Sequence, residues 1–362
     1  MNKTIRGGIA ALVALSALSL AACGGEDADG ADGADEKAYD TKTAASVADW
    51  LVAQAPDGVA RNAQYGTDDF GLSADIGIAL AQVDGHDADV ETIAKAVTKN
   101  QKAYTSPGFG TVTSAGSTAK ALVLQQEADV ADSGLLEQLE QAVSETGRIA
   151  DELDPKNKKA ADYANTIGQS YAVMALGEAE SAKAKAAADF LGEQQCSDGW
   201  FRITFAPDPA AADQGCDADP KAVPDVDATA FAVLALQEVD STEAEKAAAA
   251  GVRWLTSTQA KDGSFSSATG NVPNSNSTGL AGWALAEADE DAAAEKAATW
   301  VAEHVVTCGD DAGAVAFDDA ALTDGNEKGL TKESEGMYRL AAAQALPSLE
   351  QLPKGATEKS SC

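Results

Sequence analysis

The chain has 362 residues, with 58 acidic against 26 basic side chains and a formal net charge of −32. Such a surface repels phosphate backbones and anionic lipid head groups, which argues against nucleic acid as a partner. Aromatic residues are only 5%, alanine is abundant and alternating β-branched runs are nearly absent, so an all-α fold is expected.

Lys3 and Arg6 precede an uncharged run from Gly7 to Leu20. The run is short for a membrane span and has the length of a secretion-signal core. It ends in Leu20-Ala21-Ala22-Cys23. This resembles the lipobox of secreted lipoproteins, in which an aliphatic and two small residues precede the cysteine that receives a diacylglyceryl group. The resemblance implies removal of residues 1–22, lipidation of Cys23 and an extracytoplasmic protein anchored to the cell membrane. Gly24 to Glu36 then reads GGEDADGADGADE, and the segment 23–39 is expected to be a flexible, self-repelling tether. No later segment reaches about 18 apolar residues free of charge, so no other span is expected.

Beyond the tether the chain repeats itself. Phe190 to Trp200 reads FLGEQQCSDGW and Trp254 to Phe265 reads WLTSTQAKDGSF; Trp50 to Gly58 is a first copy and Trp300-Val301 opens a degenerate one. Each is the end of a helix followed by a turn in which glycine supplies a positive φ. A second helix follows each turn, opening on small polar residues suited to N-capping and continuing apolar almost all round, as buried inner helices do. Asp225 to Leu236 and Asn274 to Leu285 show the pattern, with related stretches ending at Leu80, near Leu124, at Leu176 and at Leu346. The first helices, such as 182–193 and 243–257, are amphipathic and suit an outer layer. Six pairs result, at roughly 40–87, 88–131, 132–180, 181–240, 241–289 and 290–349. The expected domain spans 40–350, with a C-terminal tail from 351 to 362.

These turns and the Asp-Val-Asp-Ala-Thr-Ala helix start at 225–230 resemble the prenyltransferase/squalene-cyclase repeats. The resemblance covers about residues 40–350 and implies an (α/α)6 toroid, six inner helices ringed by six outer ones. Relatives on that scaffold include terpene cyclases, protein prenyltransferase β-subunits, thioester domains and cobalamin carriers, so the resemblance leaves the chemistry open.

Aligning the inner helices places Asp69, Ser114, Asn165, Asp225, Asn274 and Glu335 at one equivalent position. They read as N-caps that circle one mouth of the toroid, and with Asp227 as a polar rim able to recognise a ligand. Asp225 and Asp227 are the candidate catalytic groups, because class II terpene cyclases carry Asp-x-Asp-Asp-Thr-Ala at such a helix start, the third-position Asp protonating an alkene. Here Ala228 replaces the last Asp of that motif, and aromatic faces for stabilising carbocations are few. A thioester domain would need Gly-Cys-Gly-Glu-Gln; Gly192-Glu193-Gln194-Gln195-Cys196 has similar letters in the wrong order. His86 and His304 are the only histidines and read as surface residues, so no metal site is expected.

Besides Cys23, four cysteines remain, an even number in an oxidising compartment. Of the three possible pairings, Cys196–Cys216 and Cys308–Cys362 are favoured. The first closes the long loop 201–224 beside the rim; the second ties back the tail. The sixth pair also has a long link, 309–332, either a second lip of the mouth or flexible. The function expected is non-catalytic binding by a monomer: a small molecule at the mouth, for which a corrinoid is one candidate, or a cell-surface polymer or protein. The alternative is a carbohydrate-active hydrolase or lyase, or a cyclase-like enzyme, using rim carboxylates.

Overall fold

The computed structural model describes residues 39–106, 108, 110–206, 208–267 and 272–356. Residues 1–22, Cys23, the tether up to residue 38 and Cys362 lie outside that range. No helix among the described residues is long and apolar enough to cross a membrane.

The first pair sets the pattern. Helix α1 (Thr41–Gln54) is amphipathic and buries Val47, Ala48 and Leu51. A turn leads into β1 (Ala60–Asn62) and β2 (Thr67–Asp69), then into α2 (Phe70–Leu80), which is buried over most of its surface. The second pair is α3 (Asp87–Lys99), the short α4 (Gln101–Thr105), β3 (Thr111–Thr113) and α5 (Ala115–Glu127). The third is α6 (Leu135–Ala142), β4 (Glu152–Leu153) and α7 (Thr166–Glu178). Then come α8 (Ala184–Glu193) with α9 (Val226–Gln237), and α10 (Thr242–Thr258) with α11 (Ser275–Glu287). The sixth pair is α12 (Asp291–Glu303) and α14 (Glu335–Ala345), with α13 (Asp319–Lys328) between them. The link expected as a lip or a flexible strip therefore contains a helix.

The inner helices close a ring. α2 packs on α5, α5 on α7, α7 on α9, α9 on α11, α11 on α14, and α14 returns to α2. The fold is thus the (α/α)6 toroid. It adds two small antiparallel sheets in the outer-to-inner links, β1 with β2 (Ala60 opposite Asp69) and β3 with β4 (Thr111 opposite Leu153). Residues 60–69 and 111–113 are too short and polar to announce themselves as strands by alternation.

The repeated turn has a packing reason. Gly58, Gly147, Gly199, Gly263 and Gly313 all have positive φ, and each lies against the main chain of the next outer helix: Thr92, Ala186, Ala250, Lys296 and, closing the circle, Ser46 of α1. A Cβ at any of them would fall within 3.0 Å of that carbonyl oxygen. The glutamine of the repeat clamps the same joint. Gln195 Nε2 donates to the Gly199 carbonyl (2.9 Å) and to Ala247 on α10 (2.8 Å); Gln259 Nε2 donates to Gly263 (3.1 Å) and to Ala293 on α12 (2.9 Å). A side chain four residues after the cap ties the turn to the inner helix: Ser73 accepts from Ala60 N–H, Thr229 from Phe201 N–H and Thr278 from Phe265 N–H, each at 2.9 Å, and Gln169 Oε1 from Ile149 N–H at 3.0 Å.

The ring is finished by a 3-10 turn, Leu346–Gln351, that buries Leu346, Pro347 and Leu349 against α1, α11 and α12. Asp40 N–H donates to the Leu352 carbonyl at 2.7 Å, so both ends of the described domain meet. Leu352 is buried, and residues up to 356 belong to this closure.

Candidate functional site

The mouth lies where the inner helices begin. Five of the six expected caps make the bond: Asp69 accepts from Leu72 N–H (2.9 Å), Ser114 from Ser117 (3.3 Å), Asn165 from Gly168 (3.0 Å), Asp225 from Ala228 (2.8 Å) and Asn274 from Ser277 (2.9 Å). Glu335 does not. It is the first residue of α14, whose N-cap is Ser334, and its carboxylate pairs with Arg339 at 3.1 Å. The long link before α14 shifts the start of this last inner helix by one residue. Glu335 and Arg339 instead wall a cleft of about 60 Å3 at the α2–α14 seam, with Arg61, Gln64, Asp69 and Lys332.

Around the mouth stands a crown of exposed apolar side chains. Val112, Tyr163, Val223 and Val272 each sit two residues before the cap of α5, α7, α9 or α11, and are 41%, 70%, 57% and 44% exposed. Tyr65, at the tip between β1 and β2, and Met337 and Leu340, on the first turns of α14, complete the circle. All the exposed large apolar side chains found among the described residues lie on this one face. Soluble domains scatter such residues; a ring of them marks an interaction surface.

Below the mouth the inner helices carry large side chains into the centre. The space there, lined by Ile78, Tyr171, Phe231, Leu280, Trp283 and Pro347 among others, is about 20 Å3. That admits about one water, whereas small-molecule sites usually offer about 300 Å3 or more. Six residues after their caps, Asp75 on α2 and Lys120 on α5 meet as an ion pair at 2.5 Å, each side chain 15% exposed. Burial works against the Lys120 ammonium, but Asp75 beside it holds its pKa above the usual lysine range. Lys120 also stands over the ring of Tyr171 at 5.8 Å, and Tyr171 packs on Phe231.

The two candidate catalytic groups have different surroundings. Asp225 is committed to its cap, and burial raises its pKa. Asp227 is one turn above Phe231 on the cavity-lining face of α9. Burial pushes its carboxyl up to about 6, with the Ser277 hydroxyl opposing and Asp225 adding to the rise. Its Oδ1 is buried and has no hydrogen-bond partner.

Cys196 and Cys216 form the expected disulfide. Inside the loop it closes, Arg202 is buried and donates through Nε and Nη2 to Gln194 Oε1 (3.1 and 2.8 Å) and through Nη2 to the Gln214 carbonyl (2.6 Å). Cys308 is also disulfide-bonded, and the expected partner, Cys362, lies outside the described residues. His86 is half-buried at the start of α3 beside Asp89 (3.2 Å). His304 is a correction: it is 4% exposed rather than on the surface, stacked on Trp300 with ring centroids 3.7 Å apart and placed 3.2 Å from Asp319 Oδ1. Asp319 is the first residue of α13, and its side chain is otherwise exposed. No group of three or more His, Cys, Asp or Glu able to hold a metal occurs among the described residues.

Comparison with known proteins agrees with this geometry. The family model of the A-macroglobulin TED domain matches residues 121–272, the stretch from α5 to the approach to α11. No curated protein matches the sequence. Among solved structures, the type II terpene cyclase MstE from Scytonema superposes with a TM-score of 0.61 at 16% identity, over 86% of this chain and 96% of that one. A protein from Actinoplanes gives 0.59 at 18% identity, over 86% and 98%. UGL, as a variant with dGlcA-Glc-Rha-Glc, gives 0.56 at 12% identity, over 87% and 100%. With its closed ring of six inner helices, this chain has the toroid fold of the prenyltransferase/squalene-cyclase repeat proteins.

Proposed function

We propose that this protein is an extracytoplasmic lipoprotein that binds a cell-envelope ligand across the mouth of its toroid, without catalysis. The crown of Val112, Tyr163, Val223, Val272, Tyr65, Met337 and Leu340 carries this reading, because exposed apolar side chains gathered at one end of the domain mark an interaction surface. The small central space favours a ligand that lies on the mouth over one swallowed by it: about 20 Å3 has no room for an isoprenoid chain or a corrinoid. The motif Leu20-Ala21-Ala22-Cys23 supports the anchor, and the acidic segment after it would hold the domain off the bilayer.

The test uses the soluble domain and washed cell envelopes. Sedimentation of the domain with envelopes should fall at least tenfold in the double variant Tyr163→Asp/Val223→Asp and stay unchanged in Lys185→Glu on the outer helix α8. Equal sedimentation of mouth variant and parent would refute a mouth site. Full-length Cys23→Ser should leave the membrane fraction; a variant that fractionates and migrates as the parent does would remove the anchor from this reading.

A further inference from the structure

We infer that the base of the mouth, between α9, α11 and α14, is a recognition site for a primary ammonium group on a chain reaching in from outside. This rests on the mouth-binding reading and adds the chemistry of the group that enters.

Three polar side chains at the start of α9 and α11, Asp227, Asn276 and Ser277, keep buried acceptor atoms that are not fully satisfied. Asp227 and Asn276 both lie two residues after their caps, on neighbouring inner helices at equal height. Each is one turn above a residue that lines the central space, Phe231 and Leu280 respectively, so both project to that side. Asn276 is 8% exposed and Ser277 is fully buried. Asn276 Nδ2 donates to Gln344 Oε1 on α14 at 2.6 Å. Asp227 Oδ1 and Asn276 Oδ1 make no hydrogen bond, and the Ser277 hydroxyl, close enough to Asp227 to oppose the rise of its pKa, keeps oxygen lone pairs with which to accept. Two of these can only accept, and the third can accept. Leaving such atoms buried and unpaired is unfavourable, so the cluster calls for donors.

The charge decides what kind of donor. Asp75 and Asp227 are two partly buried carboxylates on the inner helices. Asp75 is matched by Lys120, but Asp227 makes no ion pair among the described residues, and the charge that acts on it is another acid, Asp225. A buried carboxylate is stable only beside a positive charge or a strong donor set. A neutral hydroxyl would meet the acceptors and leave the charge; a quaternary ammonium would meet the charge and leave the acceptors. A primary ammonium has one positive charge and three N–H donors, which answers Asp227, Asn276 and Ser277 together. A divalent metal is disfavoured because Asp227 offers a single carboxylate and no cluster of three ligating groups occurs among the described residues. The aromatic faces of Phe231 and Tyr171 one turn below favour a cation above them. The narrow centre admits an ammonium-sized group and no ring, so the chain bearing it must lie back along the apolar mouth.

The experiment measures binding to the soluble domain by calorimetry. Its probes are n-hexylamine, 1-hexanol as the neutral match and hexyltrimethylammonium as the charge without N–H donors. Hexylamine should bind the parent at least tenfold more tightly than either comparator. Asp227→Asn should lose that preference, whereas Asp240→Asn, an exposed acid, should keep it. Asn276→Leu, which removes an acceptor and no charge, should weaken hexylamine several-fold, so the proposal stays testable if Asp227→Asn melts early. Hexanol or the quaternary amine binding as well as hexylamine, or Asp227→Asn binding hexylamine like the parent, overturns the proposal. 1,6-Diaminohexane and a lysine-containing peptide then separate a free polyamine from a protein lysine as the source. If amine binding fails while envelope binding still depends on Tyr163 and Val223, the ammonium site is wrong and the mouth reading stands; if both fail, both are wrong.

Discussion

The Cα of Gly313 lies against the main chain of Ser46, where a Cβ would fall 2.6 Å from the Ser46 carbonyl oxygen. This contact joins the last turn of the repeat to the first outer helix, so the ring is closed by backbone packing as well as by the inner helices. Gly313→Ala should lower stability by about 2–4 kcal/mol, because φ is +101° and Trp50 blocks the other side. Gly309, at φ +75° with nothing near it, should cost only about 1 kcal/mol as alanine. Denaturant melts of the two variants measure this; equal losses would mean the joint does not carry closure.

The Asp75–Lys120 pair predicts strong non-additivity. Lys120→Met leaves a buried carboxylate alone and should cost about 3–5 kcal/mol. Asp75→Leu combined with Lys120→Met should recover most of that, since a well-packed apolar pair replaces a desolvated ionic one. A double variant as unstable as the two singles summed would show that Asp75 and Lys120 are not coupled, contradicting the pair.

At the far end of the toroid, Glu127, Glu178, Glu238 and Glu287 each stand thirteen residues after a cap, ending or just following α5, α7, α9 and α11. Burial first, then Glu178 and Glu238, push the Glu127 carboxyl up to about 7. The folded state therefore binds a proton that the unfolded state releases at ordinary glutamate pH. Stability should fall as pH rises from about 4.5 to about 7 and level off above, with Asp227 adding the same sign up to about 6. Glu127→Gln should gain about 1–2 kcal/mol at pH 8 and flatten that slope. An unchanged slope would show that the four carboxylates do not couple.

Opening the 196–216 bond by Cys196→Ser/Cys216→Ser should cost about 3 kcal/mol for a closed loop of this size, 20 residues apart. Arg202 should then hold the loop less firmly, read as faster amide exchange across residues 194–216.

Much of this was legible in the chain. Glycine at the turns, Gln195 and Gln259, and the polar caps Asp69 to Asn274 recur at fixed spacing because each repeat solves the same docking problem. Glu335 broke the pattern because α13 lengthens the last link and moves the start of α14. His304 looked exposed because it follows the end of an outer helix, whereas it folds back to stack on Trp300 of that helix, with Nδ1 2.8 Å from the Trp300 carbonyl. The crown was present as an apolar residue two before four of the caps, and the pairing of Asp75 with Lys120 as equivalent positions on adjacent helices. Neither acquires meaning until the ring closes, since only closure sets position 75 beside position 120 and turns single valines and tyrosines into a circle.

The most direct measurement is hydrogen exchange of the soluble domain with and without its envelope ligand. Protection should appear in 60–69, 111–114, 161–165, 219–226, 272–276 and 333–340, with the outer helices α3, α8 and α10 unchanged. Protection confined to the outer helices, or spread evenly over the domain, would contradict binding at the mouth.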